Sequence, residues 1–157
     1  MSFDYQQALF HVGIRVPDLA VSMAELGTAL GVTWAEVMER EQPLWTPEDG
    51  AITTPLRFTY SCEGPVHLEL LQGTPGTIWY GNDQPGVHHL GIWVDDVAEC
   101  VERLVAEGWE LVVAQLAPED GYGVMAYVRS SGGILLEPVS SAVRPRFERW
   151  WAGGSLM

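Results

Sequence analysis

The chain has 157 residues, 47% apolar and 18% charged, a size and balance for one globular domain with no signature of disorder. Its net charge is −13 and all eight basic residues are arginines, which disfavours nucleic acid and anionic membrane surfaces as partners. The lack of lysine excludes Schiff-base chemistry and a phosphate-binding P-loop. No apolar run approaches the roughly 20 residues of a membrane span, and residues 1–7 lack a basic leader region, so a cytoplasmic protein is expected. Cys62 and Cys100 each lie in an apolar segment and read as buried free thiols.

In chain order, residues 10–16 alternate as a strand, with Phe10, Val12, Ile14 and Val16 on one face and His11, Gly13 and Arg15 on the other. An amphipathic helix follows over about 17–30, ending near Gly31, and then a short apolar strand. Residues 55–62 and 65–72 alternate as strands joined by Glu63-Gly64. Val66, Leu68 and Leu70 share one face of the last strand; His67, Glu69 and Leu71 share the other. The Gly- and Pro-rich stretch 73–87 reads as a linker.

The pattern then repeats. Residues 89–98, HLGIWVDDVA, match residues 11–20, HVGIRVPDLA, at six of ten positions. A second helix over about 96–108 ends near Gly108, and strands at 122–129 and 133–139 are joined by Ser130-Ser131-Gly132. The expected fold is α+β: two βαβββ repeats, about 9–72 and 88–139, forming an eight-stranded incomplete barrel within a single domain, 1–157. The tail from 140 carries one more short helix over about 143–151.

Each repeat puts one His on its first strand and one Glu on its last, both on the face away from the helix. A carboxylate buried in an apolar strand such as HLELL or ILLEP is costly unless it is paired or bound to a cation. If the halves pack with pseudo-two-fold symmetry, His11, Glu69, His89 and Glu137 converge. Two imidazoles and two carboxylates suit one divalent ion, Zn, Ni, Co, Mn or Fe, with one or two positions open for water or substrate. On the same faces, Arg15 could grip a substrate oxygen and Trp93 could wall a pocket, which Tyr60 and Tyr127, on the equivalent third strands of the two repeats, could also line. His67 could shuttle a proton. His88 points to the helix side by alternation and reads as structural. Trp45, Trp79, Trp150 and Trp151 fall in loop or tail segments, suited to a lid or an oligomer contact.

The pattern HVGIRV…HLELL…HHLGIWV…ILLEP resembles the vicinal oxygen chelate superfamily, which includes glyoxalase I, bleomycin-resistance proteins and ring-cleaving dioxygenases. The resemblance covers about 9–140, and the segments GVHHLGIWVDDVAECVERLVAEGWEL and SSGGILLEPV look most like methylmalonyl-CoA epimerase. The metal positions of the glyoxalase I branch map to His11, Glu69, His89 and Glu137. The resemblance implies a metal-dependent isomerase, epimerase or lyase acting on a small substrate with vicinal oxygens through a metal-stabilised enolate, with Glu69, Glu137 or His67 as base. Two alternatives stand beside it. One is a non-haem iron ring-cleaving dioxygenase, disfavoured because those relatives use three protein ligands. The other is a metal-free protein that binds a drug or antibiotic. Related domains pair, and Trp150 and Trp151 offer an apolar surface, so a homodimer is expected. The region 41–56 is longer and richer in Pro and Trp than the corresponding connection in the epimerases.

Overall fold

Residues 4–157 are described by the computed structural model. In chain order they form α1 (Tyr5–Ala8), β1 (Leu9–Arg15), α2 (Leu19–Leu30), β2 (Met38–Thr46), β3 (Gly50–Tyr60), β4 (His67–Gly73), β5 (Gly86–Val94), α3 (Val97–Ala106), β6 (Glu110–Ala114), β7 (Ala126–Arg129), β8 (Leu135–Ser140) and α4 (Arg144–Trp151). The eight strands make the expected α+β barrel, hydrogen-bonded in the order β1-β4-β3-β2-β6-β7-β8-β5. Among the described residues no helix is long and apolar enough to cross a membrane.

The repeated Asp in HVGIRVPD and HLGIWVDD has the same local task in both copies. Asp18 accepts from the Val21 amide at 3.0 Å and caps α2; Asp96 accepts from the Glu99 amide at 3.0 Å and caps α3. The glycines expected to end the helices do so with left-handed backbone, φ 69° at Gly31 and 101° at Gly108.

The chain divides into two compact units. The first, the His11 unit, comprises Phe10–Gln42, Pro55–His88 and Pro145–Met157. Its core packs Val16, Leu19 and Leu70 with Ile14, Met23, Leu26, Trp34 and Val37, so β1 and β4 turn toward α2 the apolar rows that alternation assigns them. Phe10, further along the same row, meets Phe147 and Trp151 of α4. The second, the His89 unit, comprises the chain up to Leu9, Pro43–Thr54 and His89–Arg144. Ile92 and Val94 of β5 pack there with Val97, Cys100, Val101 and Leu104 of α3, each buried Ile, Val or Leu contributing about 1.5–3 kcal/mol of apolar burial. The units therefore differ from the sequence halves: the tip of the β2–β3 pair groups with the second repeat, and the tail with the first.

Three boundaries depart from expectation. The stretch 32–37 is not the third element of its repeat. Trp34 is tied down by its indole N–H, which donates to the Met23 carbonyl at 2.9 Å, and the strand begins only at Met38. The Pro- and Trp-rich region 41–56 is largely strand, β2 turning into β3 at Gly50, where φ is +68°. Its prolines obscured the alternation. Conversely, β7 starts at Ala126 rather than 122. Tyr122 and Gly123 adopt positive φ, and Gln115 accepts the Val124 amide at 2.7 Å, so the chain loops before it pairs.

Candidate metal centre

In the His11 unit, β1 and β4 run parallel with His11 beside His67 and Gly13 beside Glu69. Glycine opposite the carboxylate leaves space beside it, so Glu69 can lean along the sheet toward the imidazole two residues back. Glu69 Oε2 lies 3.2 Å from His11 Nε2. On its other side, β4 pairs with β3 and sets Tyr60 against Glu69. The Tyr60 hydroxyl is 3.5 Å from His11 Nε2, with the ring centroids 5.1 Å apart. His11, Glu69 and Tyr60 thus form one row across three strands, and all three are buried.

The His89 unit builds the same row. Strands β5 and β8 run parallel with Gly91 beside Glu137, and Glu137 Oε2 lies 2.8 Å from His89 Nε2. The pairings Met125 with Val139 and Val128 with Leu136 bracket Tyr127 opposite Glu137. The Tyr127 ring is 4.8 Å from that of His89. His89, Glu137 and Tyr127 are also buried, whereas His88 is half-buried. Each unit thus holds one buried imidazole against one buried carboxylate, His11 with Glu69 and His89 with Glu137, and these are donor types that could hold a metal ion. The chemistry fits: imidazole nitrogen and carboxylate oxygen are the donors that borderline divalent cations take. A cation would also offset the cost of burying the carboxylates.

Other expected site residues sit differently. Arg15 donates through Nη1 to the carbonyls of Ile78 and Tyr80, at 3.2 and 3.4 Å. It pins the 73–87 linker, a use the sequence did not reveal because linker and strand are more than sixty residues apart. His67 has its Nδ1–H on the Ser61 carbonyl at 2.7 Å and its ring stacked on Trp151 at 3.6 Å. Burial pushes its imidazole below the ordinary pKa, against the opposing effect of the Ser61 hydrogen bond. With one nitrogen and one ring face engaged, His67 braces the Ser61–His67 turn. Trp93 is buried and lines a cavity of about 330 Å³ with Ala8, Val94, Cys100 and Arg103, among others, but with neither His89 nor Glu137.

Trp150 and Trp79, both expected at a lid or an oligomer contact, are instead buried, and Trp150 bears on the site. It is fully buried, its indole N–H donates to the Glu36 carbonyl at 3.1 Å, and its ring lies 5.5 Å from Tyr60 and 5.7 Å from Phe58. Trp151, half-buried, stacks on His67. These tryptophans wall the His11 row from behind, so the apolar tail surface that suggested a homodimer is consumed within its own unit. The signal was present in the amphipathic run RPRFERWW, but nothing in it says which surface the helix covers.

The model of the glyoxalase/bleomycin resistance protein/dioxygenase superfamily matches residues 10–127, from the start of the first His–Glu–Tyr row to the tyrosine of the second. The chain belongs to this superfamily. Solved structures share its fold. Methylmalonyl-CoA epimerase from Mycobacterium tuberculosis is 21% identical, over 85% of this chain and 87% of that one, with a TM-score of 0.59. A variant of the Streptomyces coelicolor epimerase in complex with 2-nitronate-propionyl-CoA is 18% identical, over 87% and 95%, with a TM-score of 0.58. A mutant 4-hydroxymandelate synthase from Streptomyces coelicolor is 17% identical, over 85% of this chain and 48% of that one, with a TM-score of 0.61. No curated protein sequence matches the chain.

Proposed function

We propose that this superfamily member is a divalent-metal-dependent isomerase, epimerase or lyase acting on a small substrate with vicinal oxygens. The observation that carries the reading is the His–Glu–Tyr row built twice, at matching places in two repeats, with each His Nε2 against a buried carboxylate oxygen. His11 and His89 would hold the ion through Nε2, and Glu69 and Glu137 through a carboxylate oxygen. A bound divalent ion supplies Lewis acidity, polarising the substrate oxygens so that the neighbouring C–H becomes acidic. The protein's part is then to move that proton. One carboxylate, Glu69 or Glu137, accepts it from the substrate carbon and returns it to the other face or to the adjacent position, leaving an isomer with no net gain or loss of atoms. His67 suits this task less well than the carboxylates, because its Nδ1 and one ring face are committed. Tyr60 and Tyr127 orient the imidazoles and keep bulk water from them. The four-donor set weighs against a three-ligand iron dioxygenase, and two buried carboxylates weigh against a metal-free binding protein.

Elemental analysis and anomalous diffraction on protein purified without chelator test the reading. The expected result is one equivalent of metal with donors from His11, Glu69, His89 and Glu137 at about 2.0–2.3 Å. Wild-type protein that takes up no Zn, Ni, Co, Mn or Fe, or that binds it elsewhere, would overturn it. Incorporation of solvent deuterium beside the carbonyl of a methylmalonyl thioester, dependent on the metal, would place the reaction in the proton-transfer class.

A further inference from the structure

Tyr60 is buried within an aromatic cluster, with the rings of Phe147, Trp150 and Trp151 at 5.5, 5.5 and 6.0 Å. A phenylalanine would fill that cluster as well, so packing gives no account of the hydroxyl, and a buried phenol needs a polar partner. The hydroxyl emerges at the His11 row. Pairing of β3 with β4 sets Tyr60 opposite Glu69. Its Oη lies 3.5 Å from His11 Nε2, which in turn lies 3.2 Å from Glu69 Oε2.

Two oxygens of the His11 unit therefore converge on one imidazole nitrogen. As hydrogen bonds the contacts are poor. Well-formed N–H···O bonds centre on about 2.9–3.0 Å, and hydroxyl donors come closer still. A single imidazole nitrogen also carries either a proton or a lone pair, so it cannot donate to one oxygen while accepting from the other. As neighbours around one cation the same atoms are well spaced. Two donors each about 2.1 Å from an ion, and about 100–110° apart, lie about 3.2–3.5 Å from each other.

We propose that the Tyr60 hydroxyl is a further ligand of the metal ion, bound as phenolate beside His11 Nε2 and Glu69 Oε2. This role rests on the metal-centre reading above and extends it. On binding, the Oη–H bond breaks, an Oη–metal bond forms and the proton passes to solvent, with no change of oxidation state. The consequence falls on the choice of metal. A phenolate added to the carboxylates makes the donor set harder and more anionic, which favours iron or manganese over zinc.

The test compares wild type, Tyr60→Phe and Tyr5→Phe, the last of which removes an exposed phenol from the His89 unit. Each is stripped with chelator, checked for fold by circular dichroism and loaded with one equivalent of Fe(III). Wild type is expected to show a visible phenolate-to-iron charge-transfer absorption that Tyr5→Phe keeps and Tyr60→Phe loses. Calorimetric titration with Co, in buffers of different ionisation enthalpy, should show wild type releasing about one proton more than Tyr60→Phe. Tyr60→Phe should also hold Co at least about tenfold more weakly. Wild type that binds iron without the absorption overturns the proposal, as does Tyr60→Phe that retains it, or equal proton release by the two. Each of these results leaves the His–Glu reading standing, whereas wild type that takes up no metal overturns both.

Discussion

Replacing Trp150 by Ala should be among the most damaging single changes in the chain. The side chain is fully buried and packs on Phe58, Tyr60 and Phe147, with ring centroids 5.7, 5.5 and 6.1 Å away. Removing a core Trp costs about 3–5 kcal/mol in lost transfer energy and residual cavity. Loss of the indole hydrogen bond to the Glu36 carbonyl adds about 1 kcal/mol. The sum, about 4–6 kcal/mol, is a large part of the roughly 5–15 kcal/mol that stabilises a domain. Trp150→Phe keeps a ring in the cavity but loses the donor and some volume, so it should cost about 1–2 kcal/mol. Urea denaturation at 25 °C, with the midpoint read at constant slope, measures both. A cost below about 1 kcal/mol for Trp150→Ala, or equal costs for the two variants, would refute the reasoning and return Trp150 to the surface.

Glu137→Ala removes a proposed first ligand. Because loss of even an outer partner weakens metal binding about 10–100-fold, it should weaken Ni or Co binding by more than about a hundredfold; circular dichroism of chelator-treated protein should show the fold retained. Exchanging the roles of His88 and His89 in an alanine pair should not be possible: His89→Ala abolishes metal uptake and His88→Ala leaves it largely intact, as absorption spectroscopy with Co would report. Arg15→Met frees the carbonyls of Ile78 and Tyr80, so limited proteolysis should cut within 74–85 several times faster than in wild type. Glu63 is held below the ordinary carboxylate pKa by the side-chain and backbone hydrogen bonds of Thr33. Its stabilising effect is therefore present above the unfolded pKa and lost as pH falls through the folded one. Glu63→Gln should flatten the wild-type loss of melting temperature below about pH 4.5.

What the sequence determined by itself was local and periodic. Alternation at period two put His11 and Glu69 on one face of the first repeat, and His89 and Glu137 on one face of the second. The structure brings each pair to 3.2 and 2.8 Å. The repeated Asp and the helix-ending Gly were legible because capping and left-handed φ are decided within one turn of chain. The third strands also carried their message: Tyr60 and Tyr127, at equivalent places, both flank a histidine.

Tertiary structure decided what depends on distant partners. Arg15 looked free for a substrate until the linker carbonyls of Ile78 and Tyr80 reached it. His67 shares a face with Glu69, but Ser61 and Trp151 engage it. β2 and the first half of β3 were hidden because prolines interrupt their alternation, and hydrogen bonding across strands can sustain a strand that its own pattern does not announce. The tail tryptophans were ambiguous for the same reason. An amphipathic helix specifies that one face must be covered, while only the packed chain specifies by what, here Phe58, Tyr60 and His67.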